Sequence, residues 1–304
     1  MTATLAAFSD QLADAVARAA DTIVSVHARP RLPSSGVHWR DGIVVSTDGT
    51  VRREQDLSVT LPNGRRVPAE LAGRDPGTDL AVLRIQPGQL PVTSLGDPAT
   101  LRPGHLVLAV GRLGDAGPRT AFGAVSAVGG KWRCWKGGEI DLWLQSDLTI
   151  YPGLGGGALV SPEGAVLGVN SGGLSRPLAT TIPVATVTRT IEQIVAKGYV
   201  ARGWLGAAMQ PVHFSEATRR RAGITQEGGL VILSVEPDAP AALAGLMVGD
   251  VLVALDGRAV SHSDQVLEQL AGDVVGRTMA AELVRGGRLE RVELLIGERP
   301  RPGR

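Results

Sequence analysis

The chain carries the side chains that acyl-transfer chemistry uses, but scattered. That chemistry needs a base to deprotonate a nucleophile, a carboxylate to orient the base, and two backbone N–H groups to hold the oxyanion. Of five histidines, His27, His38 and His105 lie in the first half and are the available bases. Asp79 is a carboxylate set in the apolar run that follows it. Ser146 and Ser171 are hydroxyls flanking a glycine run, Gly153-Leu154-Gly155-Gly156-Gly157. That run can present N–H groups as an anion-binding nest, but offers no hydroxyl. A dinucleotide loop would need a helix after it, and strand residues follow instead. The single cysteine, Cys134, stands between Trp132 and Trp135 in an expected loop or hairpin. A reactive thiol needs a neighbouring base. None is in view, so Cys134 reads as a small packing residue.

The composition sets bounds. At 304 residues the chain has room for two or three domains. Hydrophobic residues make up 43% and there are 40 glycines, which suits a folded, β-rich protein. Aromatics are only 3%, so Val, Leu, Ile and Ala must build the cores. A net charge of +1 implies neither a nucleic-acid partner nor a membrane surface. One cysteine excludes an internal disulfide. No signal peptide or membrane span is read at the start, which leads to the expectation of a cytoplasmic protein. No metal or cofactor is expected.

The elements that must position these groups follow from periodicity. Leu12, Ala15, Val16 and Ala19 recur at helical spacing, so a helix is expected over residues 9–20. Short β runs broken by Gly and Pro then continue to about residue 185, as in a sandwich or barrel. Turn residues cluster over 91–103 and mark a division between two lobes. Ile191, Ile194 and Val195 predict a second helix over 187–198.

The glycine run and its flanks resemble the nucleophile segment of the HtrA/Deg serine proteases, whose pentad reads GNSGG. Here Gly155 stands at the serine. Gly164-Ala-Val-Leu-Gly-Val-Asn170 and Thr181-Ile-Pro-Val-Ala185 are similar to the strands that follow it in the family. Asp75-Pro-Gly-Thr-Asp-Leu-Ala-Val-Leu-Arg84 resembles the triad-carboxylate segment and gives that place to Asp79. Val44-Val-Ser-Thr-Asp-Gly-Thr-Val51 pairs with the histidine segment and puts Gly49 at the base. Leu57-Ser-Val-Thr-Leu-Pro-Asn-Gly-Arg65 anchors that frame. The degenerate triad is thus Gly49, Asp79 and Gly155, with Gly153 and Gly155 in the oxyanion loop. Asp79 has two readings: a relic with nothing to orient, or a structural carboxylate accepting backbone N–H groups. By the same resemblance, the Ser146 region and residues 170–173 line the substrate channel.

Residues 229–257 closely resemble the core of the PDZ domain fused to HtrA proteases. The resemblance makes Trp204-Leu205-Gly206-Ala207 the loop that holds a ligand's terminal carboxylate. A helix over 263–271 lines the groove, with Val266, Leu267 and Leu270 as candidates for its apolar pocket. Arg219-Arg220-Arg221 reads as a solvated basic face.

The expected fold is mainly β: an N-terminal helical segment (1–20), a trypsin-like double β-barrel (21–186), a helical linker (187–202), one PDZ domain (203–296) and a disordered tail (297–304). Two functions stay open. One is a non-catalytic peptide-binding scaffold, adaptor or chaperone of the HtrA family, meeting protein C-termini or unfolded chains. The other is an active serine endopeptidase using displaced residues. Family members often trimerise, so the resemblance also implies a homo-oligomer.

Overall fold

The computed structural model describes residues 5–30, 32–134, 137–174, 180–271 and 274–300. The chain divides into two compact units, residues 1–200 and 201–304.

The first unit opens with α1 (Leu5–Ala20), one turn longer than its apolar spacing predicts. Six strands follow: β1 (Ile23–His27), β2 (Ser34–Arg40), β3 (Ile43–Thr47), β4 (Leu57–Thr60), β5 (Arg66–Asp75) and β6 (Leu80–Arg84). They close a barrel in the order β1-β2-β3-β6-β5-β4. Alternate residues fill it: Val24, Val26, Val44, Val59, Ala81 and Leu83 are fully buried. Past the turn-rich connection come β7 (Leu106–Arg112) and β8 (Pro118–Gly129). A small hairpin of β9 (Trp132–Arg133) and β10 (Glu139–Ile140) interrupts. Then β11 (Trp143–Ser146), β12 (Ala158–Val160), β13 (Val166–Ser171) and β14 (Thr180–Pro183) complete a second closed barrel, ordered β11-β14-β13-β12-β7-β8.

The two barrels share a core with both helices. Ala15 and Ala19 of α1 are buried among Val37, Val45, Val110, Val160 and Val169. The second helix, α2 (Val184–Lys197), starts directly after Pro183 and ends at Gly198, whose φ of 81° suits a left-handed cap. Its Val187, Ile191 and Ile194 enter the same core. The stretch expected as a linker from 187 is therefore part of the barrel unit through Val200.

The second unit contains β15 (Gly203–Trp204), β16 (Ala207–His213), α3 (Glu216–Ala222), β17 (Gly228–Val235), α4 (Pro240–Leu243), β18 (Val251–Leu255), β19 (Arg258–Ala259), α5 (Ser263–Gln269), β20 (Thr278–Arg285), β21 (Arg288–Leu295) and β22 (Gly297–Glu298). The sheet runs β16-β17-β18-β20-β21, with β19 paired to β18, so β16 is an edge strand. Asp250 organises the turn before β18. It is 3% exposed, accepts the Met247 N–H at 2.8 Å and takes two bonds from the Arg285 guanidinium, at 2.9 and 2.7 Å. Glu298 and Gly297 pair with Gly203 and Trp204. This corrects the expected start of a disordered tail at 297; residues 301–304 lie outside the described residues. The basic run lies on α3, where Arg220 meets Glu216 at 3.3 Å with both side chains exposed.

Candidate functional site

The strand ends of the two barrels bring Gly49, Asp79 and the glycine run together. The turn before Asp79 is held by Asp75, whose carboxylate accepts the N–H groups of Gly77 and Thr78, at 3.1 and 3.2 Å, and the Thr78 hydroxyl at 2.7 Å. Asp79 follows with φ of +55°, a left-handed conformation that aspartate tolerates better than most residues. It is 3% exposed. Its Oδ1 accepts the N–H of Gly49 at 2.9 Å, and its Oδ2 accepts the hydroxyl of Ser171 at 2.5 Å. The Ser171 hydroxyl also receives the Gly173 N–H at 3.0 Å.

Position 49 faces this carboxylate directly. A Cβ built on Gly49 would stand 3.4 Å from Asp79 Oδ1 and meet nothing else within 4 Å. That is where an imidazole would have to begin for Asp79 to orient it. Next to it, Asp48 pairs with Arg74, which also donates to the carbonyls of Asp48 and Val51, at 3.1 and 2.9 Å.

The glycine run is pinned from the first barrel. The Ser35 N–H donates to Gly155 O at 3.2 Å, its hydroxyl donates to Gly153 O, and that hydroxyl accepts the Arg112 N–H at 2.7 Å. The Ser46 hydroxyl holds Ser35 O at 2.6 Å. Gly156 donates to Asn170 O and Gly157 to Leu154 O. The N–H groups of Gly153 and Gly155 find no acceptor among the described residues. They could meet an oxyanion, as in acyl transfer. A Cβ on Gly155 would meet nothing within 4 Å. A side chain fits there; this chain has none. The clamp formed by Ser35, Ser46 and Ser171 was not visible in the spacing, since isolated serines in strands carry no pattern.

The three histidines are engaged elsewhere. His27 Nε2 lies 2.8 Å from Thr60 Oγ1, and burial, reinforced by the charge of Arg66, lowers its pKa. His38 is fully buried with Nδ1 2.7 Å from Pro91 O, so Nδ1 carries the proton. His105 sits beside Arg102, whose N–H is 3.4 Å from its Nδ1. Cys134 is buried, its thiol 2.6 Å from Gly77 O; Trp135 lies outside the described residues. Ser146 Oγ is buried without a partner among the described residues. Within those residues no cluster of His, Cys, Asp and Glu could hold a metal ion.

The second unit offers a separate, intact arrangement. Gly206 has φ of +72°, and a Cβ there would overlap Ala239 Cβ, so only glycine fits. The carbonyls of Leu205 and Gly206 are taken by the N–H groups of Ala241 and Glu236, both at 2.8 Å. The N–H groups of the same two residues have no acceptor among the described residues. Their donors are therefore open to a carboxylate, with Trp204 and Ala207 on either side. Val266 and Leu270 of the 263–270 segment are 3% and 6% exposed and belong to the core with Leu205, Leu230 and Leu294. Leu267 is half-buried and stands outside that core. Of the three pocket candidates, two therefore lie in the domain core and one stands outside it.

Comparison with known proteins agrees with both halves. Residues 34–169 match the trypsin-like peptidase domain and residues 203–296 the PDZ domain. The probable periplasmic serine endoprotease DegP-like of Brucella suis biovar 1 (strain 1330) is 33% identical over 283 residues, covering 90% of this chain and 54% of the relative. Its counterpart in Pseudomonas fulva (strain 12-X) is 32% identical over 295 residues, 91% and 60% respectively. The chain thus spans a little over half the length of these relatives. Their names place them in the periplasm, which overturns the cytoplasmic expectation: the first residues of a single sequence are a poor guide to location. No helix among the described residues is long and apolar enough to cross a membrane. Among solved structures, the HtrA-type protease AlgW with a tripeptide superposes with a TM-score of 0.76 at 30% identity, covering 96% of this chain and 98% of that one. The serine endoprotease from Yersinia pestis gives 0.77 at 29%, covering 95% and 98%. Identity at this level over nearly a whole solved chain goes beyond a shared fold, and this chain belongs to the HtrA-type family of trypsin-like serine proteases with a C-terminal PDZ domain.

Proposed function

We propose that the chain is a catalytically silent HtrA-type protein that binds peptides or unfolded chains through its PDZ domain, as a scaffold, adaptor or chaperone. The observation that carries this is the pair of glycines at 49 and 155. One faces the Asp79 carboxylate with no base, and the other lies in the oxyanion loop with no nucleophile. Loss of the serine or histidine from such a triad costs about 10⁶-fold in turnover. What binding and an oxyanion hole leave is about 10³–10⁴ over water, too little for peptide hydrolysis. A displaced base finds no support, because His27 and His38 are committed to Thr60 and Pro91. The names of the relatives favour the periplasm as the place of action.

Purified protein should leave casein intact and resist fluorophosphonate probes. Probe labelling mapped to a barrel serine would overturn the reading. Gly155→Ser alone should stay inactive for lack of a base. The double change Gly49→His with Gly155→Ser should recover a trace, since both positions have room for a side chain. Robust turnover in the single variant would show that another residue already serves as base.

A further inference from the structure

The edge strand β16 has a defect in its outward-facing row. Phe214 donates to Glu227 O, and Gly206 O accepts from Glu236, so even-numbered residues of the strand face β17. The bulge between Ala208 and Met209 places its extra residue on β17, which keeps that parity along β16. Ala207, Met209, Pro211 and His213 therefore turn their main-chain groups to the open edge. Three of them can donate an N–H. Pro211 cannot, and its ring Cδ occupies the place of the missing hydrogen.

A ligand strand that adds here runs antiparallel, with its carboxylate at Leu205 and Gly206. Its last residue then donates to Ala207 O. The third from the end exchanges both bonds with Met209, and the fifth from the end faces Pro211. There the ligand carbonyl finds no donor and is pushed away, taking the neighbouring N–H with it. A cavity of about 260 Å³ lies against Pro211, His213, Gln226, His262 and Gln265.

We infer that Pro211 is a length-setting residue: the PDZ groove bonds the main chain of a ligand's last and third-from-last residues and takes no further main-chain bond from the fifth onward. The inference rests on the peptide-binding reading of this groove. It can be tested on the full chain with fluorescent peptides of three, four, six and eight residues. All end in valine with a free carboxylate and carry alanine and threonine upstream. Affinity should stay within about twofold from four residues to eight. Pro211→Ala and Pro211→Val restore the donor. Each should tighten the six- and eight-residue peptides about fivefold, the worth of one net hydrogen bond, while leaving the three-residue peptide unchanged. A wild-type affinity that keeps climbing fivefold or more from four to eight residues would overturn the inference. So would folded Pro211 variants that bind six residues no better than wild type. If no free-carboxylate peptide binds, or amidated peptides bind equally well, the carboxylate-groove reading itself fails and the inference falls with it.

Discussion

The cleft between the barrels and the groove of the PDZ domain are both built from glycine loops that expose N–H groups, yet their glycines mean different things. Gly206 is demanded by its backbone, with φ of +72° and Ala239 pressed against the missing Cβ. In the cleft, Gly156 is demanded in the same way, with φ of +82° and Ser35 O in the path of a side chain. Gly49 and Gly155 are not. Neither has a positive φ, and a Cβ at either position clashes with nothing. A glycine required by geometry preserves a loop, whereas Gly49 and Gly155 leave room for a side chain that this sequence does not supply. On the proposed function, the cleft is a scaffold that lacks a base at 49 and a nucleophile at 155, while the groove keeps its loop geometry.

The largest test of this distinction is a pair of neighbours. Gly156→Ala should cost about 3 kcal/mol, from left-handed strain and overlap with the Ser35 carbonyl. Gly155→Ser should leave the thermal midpoint unchanged. Equal effects in the two melts would erase the distinction.

The groove side can be broken through Asp250. Although burial pushes its pKa up, the bonds from Arg285 and the Met247 N–H and the Arg285 charge hold it below the usual value. A carboxyl lowered on folding stabilises above its unfolded pKa, near 3.8, and that contribution is lost as pH falls below it. Asp250→Asn should cost about 2 kcal/mol at neutral pH, read as faster hydrogen exchange across 228–295 with the barrels unaffected. The acid-side loss should shrink in the variant.

A finer test separates the pocket from the core. Leu267→Lys should weaken binding of a peptide with an aliphatic C-terminus about tenfold without unfolding the domain, whereas Leu270→Lys should unfold it by burying an unpaired ammonium. Peptide affinity of Leu267→Lys equal to wild type would move the pocket elsewhere.

The smallest expected effect is in the first barrel. His27 has a pKa lowered by burial and by Arg66, so the unfolded chain binds more protons between that value and about 6.5. Stability should therefore fall as pH drops below about 6.5. His27→Gln should flatten that slope in denaturant titrations at pH 7 and below.

Much of this was legible from residues alone. The strands with alternating Val and Leu, and the double barrel followed by a PDZ domain, could be placed because motif spacing tracks the fold. What escaped has physical reasons. The start of α2 was set late because Thr181-Ile-Pro-Val-Ala185 reads as one extended segment, whereas the helix begins at Val184, just past the proline. Val266 and Leu270 share an i, i+4 face, and a short helix between core and groove does not announce which face turns inward. The grip of Ser171 on Asp79 links residues 92 positions apart and depends on closure of both barrels.

The proline in β16 has a consequence beyond ligand length. An open strand edge is a template for any other chain, including a second copy of this protein, and continuous rows of unpaired donors seed aggregation. Pro211 interrupts that row at its third member. On the same inference, a residue that limits how far a partner zips along the sheet would equally limit how far a second copy could pair with the vacant edge.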